Sequence, residues 1–462
     1  MVVLAAGTAC TDSSRTQGSV QRSAAGGPAS SAPPVAAAPA AGAGVVDTPN
    51  EVPLPSALDP GSPPAGVGPS SGDAGTLAEG GAAAPVALVG LPPASEVLAA
   101  MRLVNAQFTG KWLDPSADIV TDRARPSNLW TRAVYFEGLM GLYAVEPDAA
   151  RKGAYYDYAV RWGESPSHPW QVTYGDVDTT DADAQACGQT YLDLYAIDPE
   201  PVRIAQLEAN IRNLIDSGDT TAWWWIDALQ MAMPVFARLG VLRNDASYFE
   251  AMWNLYSHSR DVEGGGLYDD ASGLWWRDAD YAPGATPALR TPNGTDIYWS
   301  RGNGWVIAAL LRVLEVLPPA EPHRAAYEAD FRALAAGILP LQRGDGFWNT
   351  SLADATHCAS AGEPGEDGPE TSGTALFAYG LAWGIRHGVL DAETYGPPLV
   401  AAWNGMLREA VRADGFLGWV QPTGAAPCSG PGPLGPGVAP NFDDFGVGCF
   451  LLAGSEVVRL AR

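Results

Sequence analysis

Apolar residues recur at helical spacing through most of the chain beyond Pro93, and little of it alternates as a strand does. Ser95 is expected to cap the first helix. The predicted fold class is therefore all-α. The periods predict twelve helices at about residues 95–108, 128–145, 148–162, 181–197, 200–215, 223–239, 245–260, 302–317, 321–341, 371–387, 397–411 and 444–460.

The twelve predicted helices alternate in character. Odd-numbered ones carry charges on one face, as in 202–208, whereas even-numbered ones are apolar nearly all round, as in 374–381 and 446–453. A helix without a polar face must be surrounded by protein. Six buried and six half-exposed helices predict an inner ring wrapped by an outer ring, the six-hairpin toroid or (α/α)6 barrel. The competing helical-repeat solenoid would show a fixed repeat period, but the hairpin spacing varies widely.

The first part of the chain differs from the rest in composition. Residues 1–93 contain no Phe, Tyr or Trp, and the first aromatic residue is Phe108. Such a segment lacks the apolar area to offset chain entropy. We predict a disordered low-complexity linker over residues 11–93 and a single barrel domain over residues 94–462.

Residues 2–10 resemble the end of a bacterial lipoprotein signal, with Cys10 as the lipidated residue. The segment departs from that pattern at Gly7, and it lacks a basic start and a full apolar core, so a truncated signal over residues 1–10 is the expectation. It predicts an exported protein, lipid-anchored at the cell envelope on its periplasmic or outer side. Contact with a membrane is expected only through this anchor.

Charge and cysteine usage narrow the function classes. The formal net charge of −25 argues against a nucleic-acid partner. The five Cys and five His show no metal-ligand spacing, so neither a metal nor an organic cofactor is predicted. Cys358 and Cys428 lie in Gly/Pro-rich loops and would pair in an oxidising compartment. Cys187 and Cys449 are predicted buried thiols.

In a six-hairpin ring the inner helices run in one direction, so their N-termini meet at one mouth, where four long loops also lead. Helix dipoles favour an anion there. N-capping explains several of the acidic residues without any function. It does not explain Arg301 at a positive helix end. The polar and aromatic residues gathered at this mouth are Trp130, Arg132, Asp181, Asp183, Asp227, Arg301, Glu370, Thr371, Asp443 and Asp444.

Asp227 is the strongest acid/base candidate. It lies in the stretch WWWIDALQMAM, residues 223–233, among three tryptophans and two methionines. Burial raises the free energy of a charged carboxylate, so Asp227 would hold a proton at neutral pH and donate it. The alternative is an Asp that only caps a helix.

Seven ordered motifs carry a resemblance to a known family. They are WTRAVYFEGL (130–139), DADAQACGQ (181–189), WIDAL (225–229), GLWWRDA (273–279), YWSRGNGW (298–305), ETSGTA (370–375) and GVGCFLLAGSE (446–456). Residues 94–462 resemble the unsaturated glycuronyl hydrolases of glycoside hydrolase families 88 and 105, most closely the unsaturated rhamnogalacturonyl hydrolases of family 105.

The resemblance implies a glycosidase that acts on oligosaccharides left by polysaccharide lyases, whose non-reducing uronate has a C4=C5 double bond. An acid protonates C4, water adds to C5, and the hemiketal opens to release the rest of the chain. Asp227 matches the family's acid/base and Asp183 its second carboxylate. A neutral carboxylic acid in an apolar site meets the same chemical requirement.

The resemblance also implies sugar-binding roles for Arg301 and Trp305, one turn apart, with an ion pair and core packing as their respective alternatives. Trp130 and Tyr135 are expected to line the mouth, with core packing as the alternative. Trp276 and Asp278 are expected near the substrate. Many relatives have a His near Trp276, where this chain reads WWRD, which leaves the preferred uronate open.

Two other functions are compatible with the sequence. An inverting glycosidase would use Asp227 and Asp183 as an acid and base pair on a saturated sugar, with carboxyls about 6.5 to 9.5 Å apart. A non-catalytic surface lectin would use the aromatic mouth only to bind glycan. The sequence leaves the source polysaccharide, the choice of galacturonate or glucuronate and the oligomeric state open.

Overall fold

The computed structural model describes residues 88–120, 124–173, 180–358, 369–424, 426–427, 434–440 and 442–462, which form a helical fold. Two antiparallel strand pairs accompany the helices, β1 (Ile119–Val120) with β2 (Ala124–Arg125) and β3 (Trp348–Asn349) with β4 (Pro369–Glu370). The helices are α1 (Ala94–Lys111), α2 (Trp130–Val145), α3 (Ala149–Gly163), α4 (Ala182–Gln185), α5 (Cys187–Ile197), α6 (Val202–Ser217), α7 (Asp227–Arg243), α8 (Ser247–Asp261), α9 (Ser300–Val316), α10 (Arg324–Ile338), α11 (Thr371–Arg386), α12 (Ala392–Gly405) and α13 (Asp444–Leu460).

The inner ring consists of α2, α4 with α5, α7, α9, α11 and α13. Each contacts the next, and α13 contacts α2, which closes the ring. Nearly every residue of α11 and α13 is buried. The predicted all-α six-hairpin toroid is confirmed, because helices without a polar face are covered by neighbours on all sides.

The outer helices are half-exposed and amphipathic. In α6, for example, Ile204, Leu207, Ile211 and Leu214 are buried at spacings of three and four residues, and this face packs against α5. The helices α3, α8, α10 and α12 likewise contact their inner partners, and α1 packs against α13 and α2. The apolar stripe of each outer helix therefore seals the outside of the inner ring.

Glycine allows two inner helices to approach closely where the ring closes. A Cβ atom on Gly448 of α13 would lie 2.1 Å from the Val134 carbonyl oxygen of α2, and one on Gly138 would lie 2.4 Å from the Gly448 carbonyl oxygen. Neither position has room for a side chain. The small-residue composition of the apolar helices is thus a packing requirement of the ring.

Several predicted helix boundaries differ from the structure by two or more residues. Pro93, not Ser95, occupies the cap position of α1. The helix predicted over 181–197 is interrupted at Ala186. The helix predicted from Trp223 begins only at Asp227, because the preceding residues pair with another segment: Trp225 forms a bridge with Asp278.

Several predictions concern residues 1–87, which lie outside the described residues. The truncated signal, lipidation at Cys10, the disordered linker and the domain boundary at residue 94 therefore stay predictions. Cys358 is disulfide-bonded, whereas Cys428 is also outside the described residues, so their pairing stays a prediction. Cys187 and Cys449 are buried free thiols. In the described part of the chain, no helix is long and apolar enough to cross a bilayer.

Candidate active site

The N-termini of the inner helices meet at one end of the ring. Arg132 near the start of α2 forms a buried ion pair with Asp444 at the start of α13, with 2.9 Å between Nε and Oδ2. Trp130 of α2 and Trp305 of α9 make an edge contact across the ring, with ring centroids 6.3 Å apart. The mouth predicted from the common direction of the inner helices is therefore present as a contacting cluster.

Asp227 is the first residue of α7 and lies within this cluster. Only 8% of the residue is exposed. Its Oδ2 atom has no hydrogen-bond partner among the described residues, and the Nε atom of Arg277 lies 3.5 Å away. A buried carboxylate oxygen with an unused lone pair beside a cation is free to exchange a proton with a bound molecule.

The environment of Asp227 favours its protonated form. Burial raises the pKa of Asp227 above its usual range, and the nearby Asp278 adds to this, while Arg277 and Arg301 oppose it. The net direction is upward because desolvation outweighs the two cations. The donor form of this carboxyl therefore extends to higher pH than in an exposed Asp.

Arg277 is held beside Asp227 by a network of backbone and side-chain contacts. The Ile226 amide donates to the Arg277 carbonyl at 3.0 Å. Two residues before Arg277 in the same loop, the Trp275 amide donates to the Asn303 side chain of α9 at 2.9 Å, and the Trp275 carbonyl accepts from it at 3.1 Å. The guanidinium itself donates to Asp278. The loop after α8 thus carries the cation to the carboxyl, and it is held there by pairing with the short extended segment that replaces the predicted first turn of α7.

Asp183 lies on α4, the four-residue helix that packs against α7. Its backbone amide donates to the side chain of Asp181, which caps α4, and burial raises the pKa of Asp181. Asp183 is half-buried. The two carboxylates predicted as a pair therefore begin neighbouring inner helices at the same end of the ring, and the catalytic role of Asp183 stays a prediction.

Arg301 is fully buried and bonded to backbone. Its Nη1 donates to the Gln421 carbonyl at 2.8 Å and its Nη2 to the Pro422 carbonyl at 2.9 Å. The guanidinium also lies over the Trp299 ring at 4.4 Å. Burial lowers the pKa of Arg301, against the opposing effects of Glu370 and Asp227. Through these contacts Arg301 links α9 to the segment at 421–422. A direct sugar-binding role for Arg301 stays a prediction.

The predicted aromatic residues occupy different places. Trp305 is fully buried, and its position favours the core-packing alternative. Tyr135 is fully buried, stacks on Phe108 of α1 with ring centroids 3.8 Å apart and donates to Asn105 at 2.8 Å. It therefore packs between α2 and the outer helix, and the expectation that it lines the mouth is not supported. Trp130 is half-buried and remains at the mouth.

The expectations for Trp276 and Asp278 have different outcomes. Asp278 is buried, accepts from Arg277 and acts on the pKa of Asp227, so it belongs to the cluster. Trp276 stacks on Tyr298 with ring centroids 5.6 Å apart and is 6% exposed. It thus packs in the wall formed by the loop after α8.

Sequence reasoning missed two residues of the cluster, Arg277 and Trp224. Arg277 lies inside the motif GLWWRDA, and Trp224 lies directly before the motif WIDAL. An arginine directly after two tryptophans in the WWRD stretch was the available signal. Its partner is far away in sequence, so only the fold shows that it meets Asp227.

The closed ring of six helical hairpins places the chain in the six-hairpin class of folds, and a protonatable carboxyl lies at its N-terminal mouth. The chain belongs to Glycosyl Hydrolase Family 88, whose profile matches residues 104–461. The resemblance expected from the seven motifs is thereby confirmed.

Known proteins of related sequence and structure agree with this assignment. The chain is 38% identical over 245 residues to an unsaturated 3S-rhamnoglycuronyl hydrolase of Formosa agariphila, covering 53% of this chain and 60% of the relative. It is 32% identical over 236 residues to a protein of the same name from an Alteromonas species, covering 51% of each. The chain thus matches little more than half the length of these relatives. A solved structure, a family 88 glycosyl hydrolase from Bacteroides vulgatus, is 32% identical with a TM-score of 0.68, covering 80% of this chain and all of the other.

Proposed function

We propose that the barrel domain removes the C4=C5 unsaturated uronate from the non-reducing end of lyase-generated oligosaccharides by hydrating its enol ether. The observation that carries this proposal is Asp227, a carboxyl buried at the mouth of the ring whose Oδ2 lacks a hydrogen-bond partner within the described residues. Protonation of a carbon requires a neutral acid that water does not compete for. The raised pKa of Asp227 supplies that form.

The reaction follows from this one proton donor. Asp227 gives its proton to C4, and the positive charge develops at C5 and the ring oxygen. Water then adds to C5, and its surplus proton returns to the ionised Asp227. The product is a hemiketal that opens and releases the remaining sugar chain. Asp183, on the neighbouring helix α4, is proposed to orient the water.

Arg277 is proposed to bind the carboxylate of the uronate. It is the cation nearest to Asp227, at 3.5 Å, and its Nε atom has no hydrogen-bond partner in the described structure. A guanidinium with an unused donor matches the geometry of a carboxylate. It would hold the uronate with C4 and C5 beside Asp227. Arg301 and Trp305, tied into α9 and its surroundings, then act by shaping the site.

The substrate is proposed to be an unsaturated uronate linked to a rhamnose unit. The support is the name shared by the two curated relatives, unsaturated 3S-rhamnoglycuronyl hydrolase. The high negative charge of the chain means that an anionic substrate relies on local cations such as Arg277.

The test offers the protein a lyase-generated oligosaccharide and its saturated counterpart. Loss of the alkene's ultraviolet absorbance, with release of the shortened chain, is expected only with the former. Asp227→Asn should lower kcat by about 100- to 10,000-fold, whereas Asp216→Asn on the exposed face of α6 should leave it unchanged. Turnover of the saturated sugar would establish an inverting glycosidase instead, and binding without turnover would establish a lectin.

The chain is also proposed to be exported and anchored through a lipid on Cys10. The support is the signal-like segment at residues 2–10 and the low-complexity stretch that follows it. Incorporation of labelled palmitate into the full-length chain, and its loss in Cys10→Ser, is the expected result. Labelling that persists in the variant would reject this site.

A further inference from the structure

One tryptophan at the mouth is exposed to solvent. Trp224 is 41% exposed, and it is the only aromatic residue among the exposed large hydrophobic side chains of the described residues. Indole combines a large apolar face with one N–H donor, which suits an exposed tryptophan beside a polar cluster to a partly polar ligand such as a sugar.

Trp224 is adjacent to the reacting groups proposed above. Its ring lies 5.3 Å from the guanidinium carbon of Arg277, and Arg277 lies 3.5 Å from Asp227. The ring of Trp225, which is 5% exposed, lies 4.6 Å from it and supports it from the protein side. Indole, guanidinium and carboxyl thus follow one another along one wall of the mouth.

This order assigns the indole to a sugar beyond the uronate. The carboxylate of the uronate pairs with Arg277, and its C4 must reach Asp227, so the uronate occupies the inner part of the wall. Trp224 is on the outer side of Arg277, where solvent reaches it. The next sugar of the chain is the part of the substrate that extends in that direction.

We infer that Trp224 is the stacking platform for the sugar linked to the unsaturated uronate, and that it selects sugars with an apolar C–H face. A 6-deoxyhexose fits best, because its methyl group extends that face and adds apolar area to the contact. The inference rests on the proposed function, and it identifies the residue that contacts the leaving sugar and discriminates between different leaving sugars.

The test compares two substrates that differ only in the leaving group: an unsaturated uronate linked to a 6-deoxyhexose, and the methyl glycoside of the same uronate. Trp224→Ala should lower kcat/KM about 10-fold with the disaccharide and less than about 2-fold with the methyl glycoside. Trp224→Tyr should restore most of the activity. Val241→Ala, an exposed residue at the far end of α7, is the matched control and should behave as wild type with both.

Equal losses with both substrates would overturn the inference, because Trp224 would then act only by holding Arg277. An unchanged kcat/KM with the disaccharide would overturn it as well. Calorimetric binding of the disaccharide to Asp227→Asn, with and without Trp224→Ala, provides a reading that is independent of turnover. If Trp224→Ala weakens binding about 10-fold, the stacking platform is supported, and if binding is unchanged, the platform is rejected. A wild type that binds the disaccharide but consumes no alkene would reject the proposed function and leave the platform standing.

Discussion

Replacing Arg277 with Met is expected to move the alkaline limb of the activity profile to higher pH. Arg277 is the nearest counter-charge of Asp227, and it opposes the rise in the pKa of Asp227 that burial causes. Without it the ionised carboxylate is less stable, and the pKa of Asp227 rises further. Because the protonated carboxyl is the proposed donor, the active form then persists to higher pH.

The size of the shift follows from the geometry. Two unit charges separated by 3.5 Å, at an effective dielectric constant of about 20, interact by about 4.7 kcal/mol. Arg277 spreads its charge over a planar group and shares it with Asp278, so the effect on the pKa is smaller than that energy implies. We expect a shift of about 1 to 3 pH units. Asp278, left without its partner, acts in the same direction.

The assay is kcat/KM as a function of pH, followed by loss of the alkene absorbance. Arg277→Met should also raise KM, since the uronate carboxylate loses its partner, and Arg277→Lys should recover part of both effects. Arg212→Met removes an ion pair between the outer helix α6 and Asp245 in the loop before α8, 2.9 Å away, and should leave the profile in place. An alkaline limb that does not move in Arg277→Met, or moves to lower pH, refutes the assignment of Asp227 as the donor beside this cation.

Three further predictions concern the ring itself. Arg132→Met leaves buried Asp444 without its counter-charge and should cost about 3 to 5 kcal/mol in urea unfolding; an unchanged midpoint would contradict the ion pair. Gly448→Ala forces a Cβ against the Val134 carbonyl and should lower the free energy of unfolding by about 1 to 3 kcal/mol or more. The control is Gly153→Ala, whose Cβ meets no atom within 4 Å among the described residues and should not lower the free energy of unfolding. Burial raises the pKa of Glu137 from 4.5 to about 7. Between these two values the folded state binds more protons than the unfolded state, so the contribution of Glu137 to the free energy of unfolding declines as pH rises from about 4.5 to about 7. The stability of wild type relative to Glu137→Gln should therefore fall over that range, and a constant difference would contradict the prediction.

The architecture was predictable because it depends on burial, and the distribution of apolar and charged residues around each helix indicates which faces are buried. The alternation between apolar helices and helices with one charged face was sufficient to predict two concentric rings. The last helix was predicted at residues 444–460, and α13 is Asp444–Leu460. The start of α7 was not predictable to the residue, because α7 is shortened by the pairing of Trp225 with Asp278. That pairing joins segments about fifty residues apart, and no local period reports it.

For the candidate site, the sequence was sufficient for the carboxyl and insufficient for its surroundings. Asp227 could be chosen because it begins a helix that is apolar nearly all round, and the burial of such a helix also desolvates its first residue. Tyr135 and Trp305 could not be sorted into mouth or core, since an aromatic residue on an all-apolar helix looks alike in both places. Arg277 was missed because its relation to Asp227 exists only after the loop folds back onto α9.

The amino-acid sequence by itself determined that this chain builds a closed ring of paired helices with an acidic and aromatic mouth, because helical period and hydrophobic content are properties of short segments. Only the tertiary structure decided which charges meet there, which tryptophan is left open to solvent and which arginine is used to hold the backbone. Those outcomes depend on contacts between distant segments, and it is the desolvation and pairing produced by those contacts that set the pKa of the central carboxyl.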